Sequence, residues 1–245
     1  MITVIDVETS FQKTEDGGYD PSPFHPDNIL VSVGLDSKYG NEYYFTGHSE
    51  KVSKGGKARI QEVLDETTLL VGHNIKFDLM WMLESGFTYT GRVYDTMLGE
   101  YILNKGIRKS LTLEMCCQRR KIGSKDNRIK EWMDKGVSFQ NIPVDIVEEY
   151  GRIDVKITRK LFDSQMADFK LEKNKDLLMT AKMMNEFLVV LTDMERNGIN
   201  IDLLDLSRVE TEYKAEQAAL VQKIDRIDYK HMDDRKINLY SKEQL

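Results

Sequence analysis

The sequence predicts an α/β fold followed by an α-helical segment. Three observations lead there. Residues 2–7 form an apolar, β-branched run of the kind that fills a buried strand. Short strand-like and helix-like stretches alternate over the first hundred residues. From about residue 176 the apolar spacing is helical almost without interruption.

Each element follows from local pattern. A loop follows the first strand over about 10–27, holding Pro21, Pro23, Pro26 and the pair Gly17-Gly18. Residues 29–34 and 42–46 read as two strands joined by a turn at 37–41. A helix is expected over 57–66, a short buried strand over 68–71, and a helix over 74–86 stopped by glycine. A strand end at 93–95 leads into a helix over 96–103. After that the chain is mostly helical. The helix over 176–196 ends at Asn197-Gly198. The last helix, over 202–227, places Leu206, Val209, Tyr213, Leu220, Ile224 and Ile227 at mostly three- and four-residue steps. Its other face is charged, so it needs a packing partner.

Composition narrows the class. The chain has 245 residues, 40% hydrophobic and 31% charged. No run of eighteen apolar residues exists, and the N-terminal residues lack a basic leader, so neither a membrane span nor a signal peptide is expected. Two cysteines, Cys116 and Cys117, are adjacent, which excludes a disulfide scaffold and suggests a reducing cytoplasm. The net charge is −6, which alone argues weakly against nucleic acid. Residues 105–130 depart from that average, with nine basic residues against Glu114 and Asp126. This stretch, including Arg119, Arg120 and Lys121, reads either as a solvated face or as a track for backbone phosphates.

Three pairs of residues carry candidate chemistry. Asp6 and Glu8 lie two apart in a strand and so share a face. Two carboxylates in an apolar strand repel each other unless a cation compensates, or unless Glu8 is already in a solvated exit loop. Asn74 and Asp78 lie four apart on a helix, either facing a cleft or with Asn74 acting as a cap. Tyr150 and Asp154 repeat the four-residue spacing on a helix begun by Pro143. A Tyr–Asp pair there also fits ordinary packing. Together the pairs supply four carboxylates and one phenol in a fixed order. Two Mg²⁺ ions would balance a charge of about −4, and hard cations prefer such oxygen ligands.

In this order the motifs resemble those of the DEDD 3′–5′ exonucleases, in the tyrosine branch. Asp6-Val7-Glu8-Thr9 is similar to the first motif, Asn74-x-x-x-Asp78 after Gly72-His73 to the second, and Tyr150-x-x-x-Asp154 to the third. Position 149 is Glu, where the other branch has histidine. The run from Tyr94 to Leu103 resembles the segment after the second motif in family A DNA polymerases. The run 191–202 resembles the entry to the polymerase region of that family, and 237–245 resembles a step found further into it.

The resemblance implies a ribonuclease H-like exonuclease domain over 1–170, with a mixed central sheet flanked by helices. An incomplete helical polymerase region would follow over 171–245. It implies two divalent metal ions, Mg²⁺ or Mn²⁺, held by Asp6, Glu8, Asp78 and Asp154, with Tyr150 orienting the attacking water. Thr9, Phe11 and Asn74 would contact the terminal nucleotide, with an apolar wedge at about Phe11 or Gln12. The implied substrate is a single-stranded or frayed DNA 3′ end. No polymerase activity is expected from this chain alone. The ending inside a polymerase-like motif suggests a trimmed piece or one half of a split enzyme, completed by a separate polymerase polypeptide. An RNA-trimming nuclease of the RNase D kind and a non-catalytic DNA-binding scaffold are the alternatives.

Overall fold

A computed structural model describes residues 1–15, 17–123 and 128–228, with residues 128 and 225–228 described by backbone alone. The expected contributions of Lys125, Asp126, the Arg128 and Ile227 side chains, and the 237–245 motif lie outside the described residues. Two compact units divide at Asn197/Gly198.

The first unit is built on a five-stranded sheet. In chain order its strands are β1 (Ile2–Thr9), β4 (Leu30–Ser37), β5 (Gly40–Phe45), β6 (Leu69–Gly72) and β7 (Arg92–Asp95). Their spatial order is β5-β4-β1-β6-β7. The β5-β4-β1 part is antiparallel, and β1-β6-β7 is parallel. The sheet is therefore mixed, as the family resemblance implies. Two very short strands, β2 (Gln12–Lys13) and β3 (Tyr19–Asp20), pair inside the expected loop. There Phe11 stacks edge-on against Tyr19, and Pro21 accepts a hydrogen bond from the Trp81 indole.

Helices α1 (Gly56–Asp65) and α2 (Ile75–Glu84) cover one face. Ile60, Val63 and Leu64 of α1 and Ile75, Leu79 and Met82 of α2 join Ile5 and Val7 in that core. Burial of such side chains contributes about 1.5–3 kcal/mol each. The long helix α6 (Val144–Phe169) lies across β1, β4, β5 and β6, and its Val155 and Phe162 pack with Val4 and Val71. Helices α3 (Thr96–Leu103), α4 (Leu113–Arg120) and α5 (Arg128–Asp134) also lean on α6. Cys116 and Cys117 are buried free thiols on α4.

Helix α7 (Lys175–Asn197) packs on β7, α3 and α2 through Ala181, Asn185 and Leu188. The compact unit therefore runs to Asn197, past the boundary expected near residue 170. Edge strand β7 needs cover for its outer side, and α7 supplies it.

The second unit contains α8 (Leu203–Asp228), its register as the periodicity predicts. Leu206, Tyr213 and Leu220 are exposed on it, and ion pairs such as Lys214–Glu210 and Arg208–Glu212 brace its charged face. Among the described residues no helix is long and apolar enough to cross a membrane.

Candidate active site

The alternation of β1 decides where its carboxylates go. Ile5 and Val7 enter the core under α1 and α2, whereas Val4 packs with α6. Asp6 and Glu8 share the face of Val4 and so turn toward α6. Glu8 lies within the strand and is buried, which removes the solvated-loop reading.

Helix α6 meets them with Tyr150 and Asp154, one turn apart and both buried. The Tyr150 hydroxyl is hydrogen-bonded to Asp154. Burial, then the charges of Glu8, Asp154 and Asp6, push this phenol far above its ordinary value, so it stays protonated. The close approach of α6 depends on two glycines. A Cβ at Gly151 would strike the Tyr43 ring, and one at Gly34 would lie 2.7 Å from Val155. Tyr43 is itself fixed by a 2.7 Å hydrogen bond with Ser32.

Asp78 arrives from the other side. The β1–β6 ladder ends at Val4↔Val71, so β1 continues beyond its parallel neighbour. The Val7 N–H donates to Asp78 Oδ1 at 3.0 Å across this open edge. Asp78 is 4% exposed, and burial followed by the nearby Asp6 raises its carboxyl well above the ordinary range. The site thus sits at the carboxyl ends of parallel strands, where open α/β sheets form crevices.

Asn74 occupies the cap position of α2, but its side chain makes no cap bond and is exposed. Its φ of 65° is unusual for a residue with a Cβ. The capping falls to Asp95, whose Oδ1 accepts from Asn74 N at 2.9 Å and Met97 N at 2.8 Å. Burial pushes the Asp95 carboxyl up, against the pull of these N–H groups. His73 ties the same corner together, bonding Thr96 Oγ1 at 2.9 Å and the Leu111 carbonyl at 2.8 Å.

A family model described as 3′–5′ exonuclease, from family A DNA polymerases, matches residues 27–167. The chain belongs to this 3′–5′ exonuclease family. The matched span contains Asp78, Tyr150 and Asp154, while Asp6 and Glu8 precede it. DNA polymerase I of Borreliella burgdorferi is 24% identical over 182 residues, covering 71% of this chain but 19% of its own length. The chain therefore spans less than a fifth of that relative. Among solved structures, Pol1 from M. smegmatis has a TM-score of 0.65 at 16% identity, covering 99% of this chain and 35% of that one. Brucella melitensis NrnC with bound Mg²⁺ has a TM-score of 0.59 at 14% identity, covering 82% and 89%. These likenesses support the ribonuclease H-like fold.

The donors in the candidate site suit a hard divalent cation, because Asp6, Glu8, Asp78 and Asp154 offer only carboxylate oxygen. Among the described residues no three His, Cys, Asp or Glu side chains are gathered as a coordinating set. Like charges repel until a cation screens them. A cation would relieve the burial and repulsion that act on Asp78.

The expected phosphate track needs correction. Arg120 donates to Glu100 at 2.8 Å, Ser164 at 3.0 Å and Asp168 at 2.7 Å. Arg119 reaches Glu100 at 3.4 Å and donates to the Ser110 carbonyl at 2.7 Å. Both guanidinium groups are thus engaged around a buried carboxylate, Glu100. Only Lys121 of the three is exposed. Thr9 is buried, and Phe11 is half-buried against Tyr19. Asp95 escaped sequence reasoning, although an Asp-Thr pair before a helix is a cap signal.

Proposed function

We propose that this chain is a divalent-metal-dependent exonuclease that removes nucleotides from DNA 3′ ends. It is the proofreading part of a family A DNA polymerase. The observation that carries the reading is the packing of α6, with its Tyr150–Asp154 pair, on the face of β1 that carries Asp6 and Glu8, and the bond from Val7 N of the same strand to Asp78 of α2. Family membership supports the direction of attack, and the polymerase relatives support DNA as the substrate.

When bound, two Mg²⁺ or Mn²⁺ ions held by Asp6, Glu8, Asp78 and Asp154 supply charge stabilisation for an in-line displacement. The chain's own groups do the rest. Tyr150, its O–H engaged by Asp154, orients the attacking water as an acceptor through its hydroxyl oxygen rather than taking its proton. Glu8 accepts from the same water. The exposed amide of Asn74 holds the terminal nucleotide, with Thr9 and Phe11 lining the approach. Lys121 contacts backbone phosphate.

A polymerase polypeptide is the natural partner. The outer face of α7 carries Met179, Met183, Phe187, Val190 and Met194, each more than half exposed and at three- or four-residue steps. A continuous apolar stripe of this kind marks an interaction face. Bacterial relatives and two reduced thiols support a cytoplasmic setting.

The test is digestion of 5′-labelled single-stranded DNA and RNA of one sequence with Mg²⁺. A ladder shortening from the DNA 3′ end, stopped by EDTA and slowed more than about 100-fold in Asp6→Ala and Asp154→Ala, is expected. Clear preference for RNA would favour an RNase D-like nuclease instead. Undiminished digestion by Asp6→Ala would remove the catalytic assignment.

A further inference from the structure

We propose that Asp95 is a positioning residue of the exonuclease site, and that α7 holds it in place through Asn185. The proposal rests on the reading of Asn74 and Asp78 given above.

Asp95 ends β7 and is 1% exposed. A single oxygen, Oδ1, accepts from backbone N–H groups at the starts of two helices, Asn74 N at the cap of α2 and Met97 N in the first turn of α3. Leading N–H groups of a helix have no partner inside it and must find one nearby. Helix α2 finds none in its own cap residue, since the Asn74 side chain makes no cap bond. The Asp95 carboxylate takes that role, and its negative charge suits the positive end of both helix dipoles.

The substitution of one cap for another has a functional consequence. A capping Asn74 would fold its amide back onto α2. Held by Asp95 in the left-handed conformation, Asn74 instead leaves its side chain exposed beside the site. One turn further along α2, Asp78 reaches the Val7 N–H of β1. The start of α2 therefore fixes both residues that this helix brings to the chemistry. Asp95 sets that start without contacting the reacting atoms.

Asp95 is held in turn. Its own N–H points outward from edge strand β7 and donates to Asn185 Oδ1 at 2.7 Å. Asn185 donates from Nδ2 to the Ala181 carbonyl at 2.7 Å, which fixes the orientation of its amide, and it is buried. Helix α7 begins after residue 170, beyond the expected end of the exonuclease part. A buried, oriented hydrogen bond links it to the site through β7 and Asp95.

The test uses the full chain with Asp95→Ala, Asp95→Asn and Asn185→Leu, at a temperature where circular dichroism shows each fully folded. Two readouts are taken, hydrogen exchange at the Asn74 and Met97 amides and steady-state digestion of single-stranded DNA with saturating Mg²⁺. In Asp95→Ala both amides should lose protection while the Val71 amide of β6 keeps its own. Its kcat should fall about 100-fold and its KM should rise severalfold, because Asn74 and Asp78 lose their placement together. Asp95→Asn, which keeps a carbonyl acceptor, should recover about tenfold of that loss, and Asn185→Leu should lower kcat about tenfold.

Loss of amide protection with wild-type kcat would overturn the proposal, as would retained protection at Asn74. So would a fall in activity that follows only the folded fraction. A wild-type chain that does not shorten DNA would overturn the exonuclease reading itself. An active wild type with a fully active Asp95→Ala variant would overturn only the role of Asp95.

Discussion

Replacing Arg120 by alanine separates a buried structural cation from a DNA contact. Arg120 is 13% exposed, and the Glu100 carboxylate it pairs with is 5% exposed. Removing one partner of a buried pair costs about 3–5 kcal/mol, because the remaining charge stays buried. Glu100 would keep Arg119 at 3.4 Å and the Gln165 amide at 3.2 Å, both long contacts. The loss should therefore fall near the lower end, about 3 kcal/mol. For a unit of this size that corresponds to a fall in Tm of roughly 6–12 °C.

A phosphate contact predicts a different signature. Each phosphate neutralised on a single strand contributes about 0.7 to the slope of log K against log salt. Urea unfolding and oligonucleotide binding between 50 and 200 mM salt, on an Asp6→Ala background that prevents digestion, measure both quantities. Arg120→Ala should be destabilised with an unchanged slope. Lys121→Ala should keep its stability and lose about 0.7 from the slope. Arg120→Ala with full stability and a reduced slope would show that the guanidinium serves DNA, and the reasoning from Glu100 would be wrong.

Other expectations follow from packing and charge. Gly151→Ala sets a methyl against the Tyr43 ring, so urea unfolding should show a loss of about 1–3 kcal/mol, and single-turnover digestion should slow as Tyr150 shifts. An unchanged variant on both measures would contradict the close approach of α6. Asn74→Gly relieves a left-handed residue and removes the exposed amide. Its stability should hold or rise by up to about 1 kcal/mol, while KM for DNA increases severalfold. Burial works against the Glu148 carboxylate, but hydrogen bonds from Arg152 and Lys51 hold its carboxyl below the ordinary range. A carboxyl lowered on folding stabilises above its unfolded pKa, about 4.3, and loses that contribution as pH falls through its folded value. Urea midpoints of wild type and Glu148→Gln should differ at pH 7 by up to ~1 kcal/mol and converge as the pH falls below about 4.

What could be read from sequence was whatever a fixed repeat controls. The two-residue period puts Asp6 and Glu8 on one side of β1, and the helical period puts Tyr150 above Asp154; both rules are local. The sheet and most helices follow from the same rules. The remaining features depend on contacts between residues far apart in the chain. Arg119 and Arg120 look like a basic track because Glu100 and Asp168, which neutralise them, are about 20 and 48 residues away. That the first compact unit runs on through α7 is not legible locally, because nothing near α7 in sequence shows that Asn185 meets Asp95, 90 residues earlier.

Asn74 shows the same limit from the other side. Local rules correctly place an N-cap residue at this position, and asparagine is a favoured cap. Yet the side chain is released from that duty, because a carboxylate 21 residues later in sequence takes the N–H at the start of α2. A polar residue in a cap position that does not cap is a local rule broken with compensation elsewhere. Such breaks concentrate at functional sites. Here the compensating group is Asp95, and the side chain it frees lies one helical turn before Asp78.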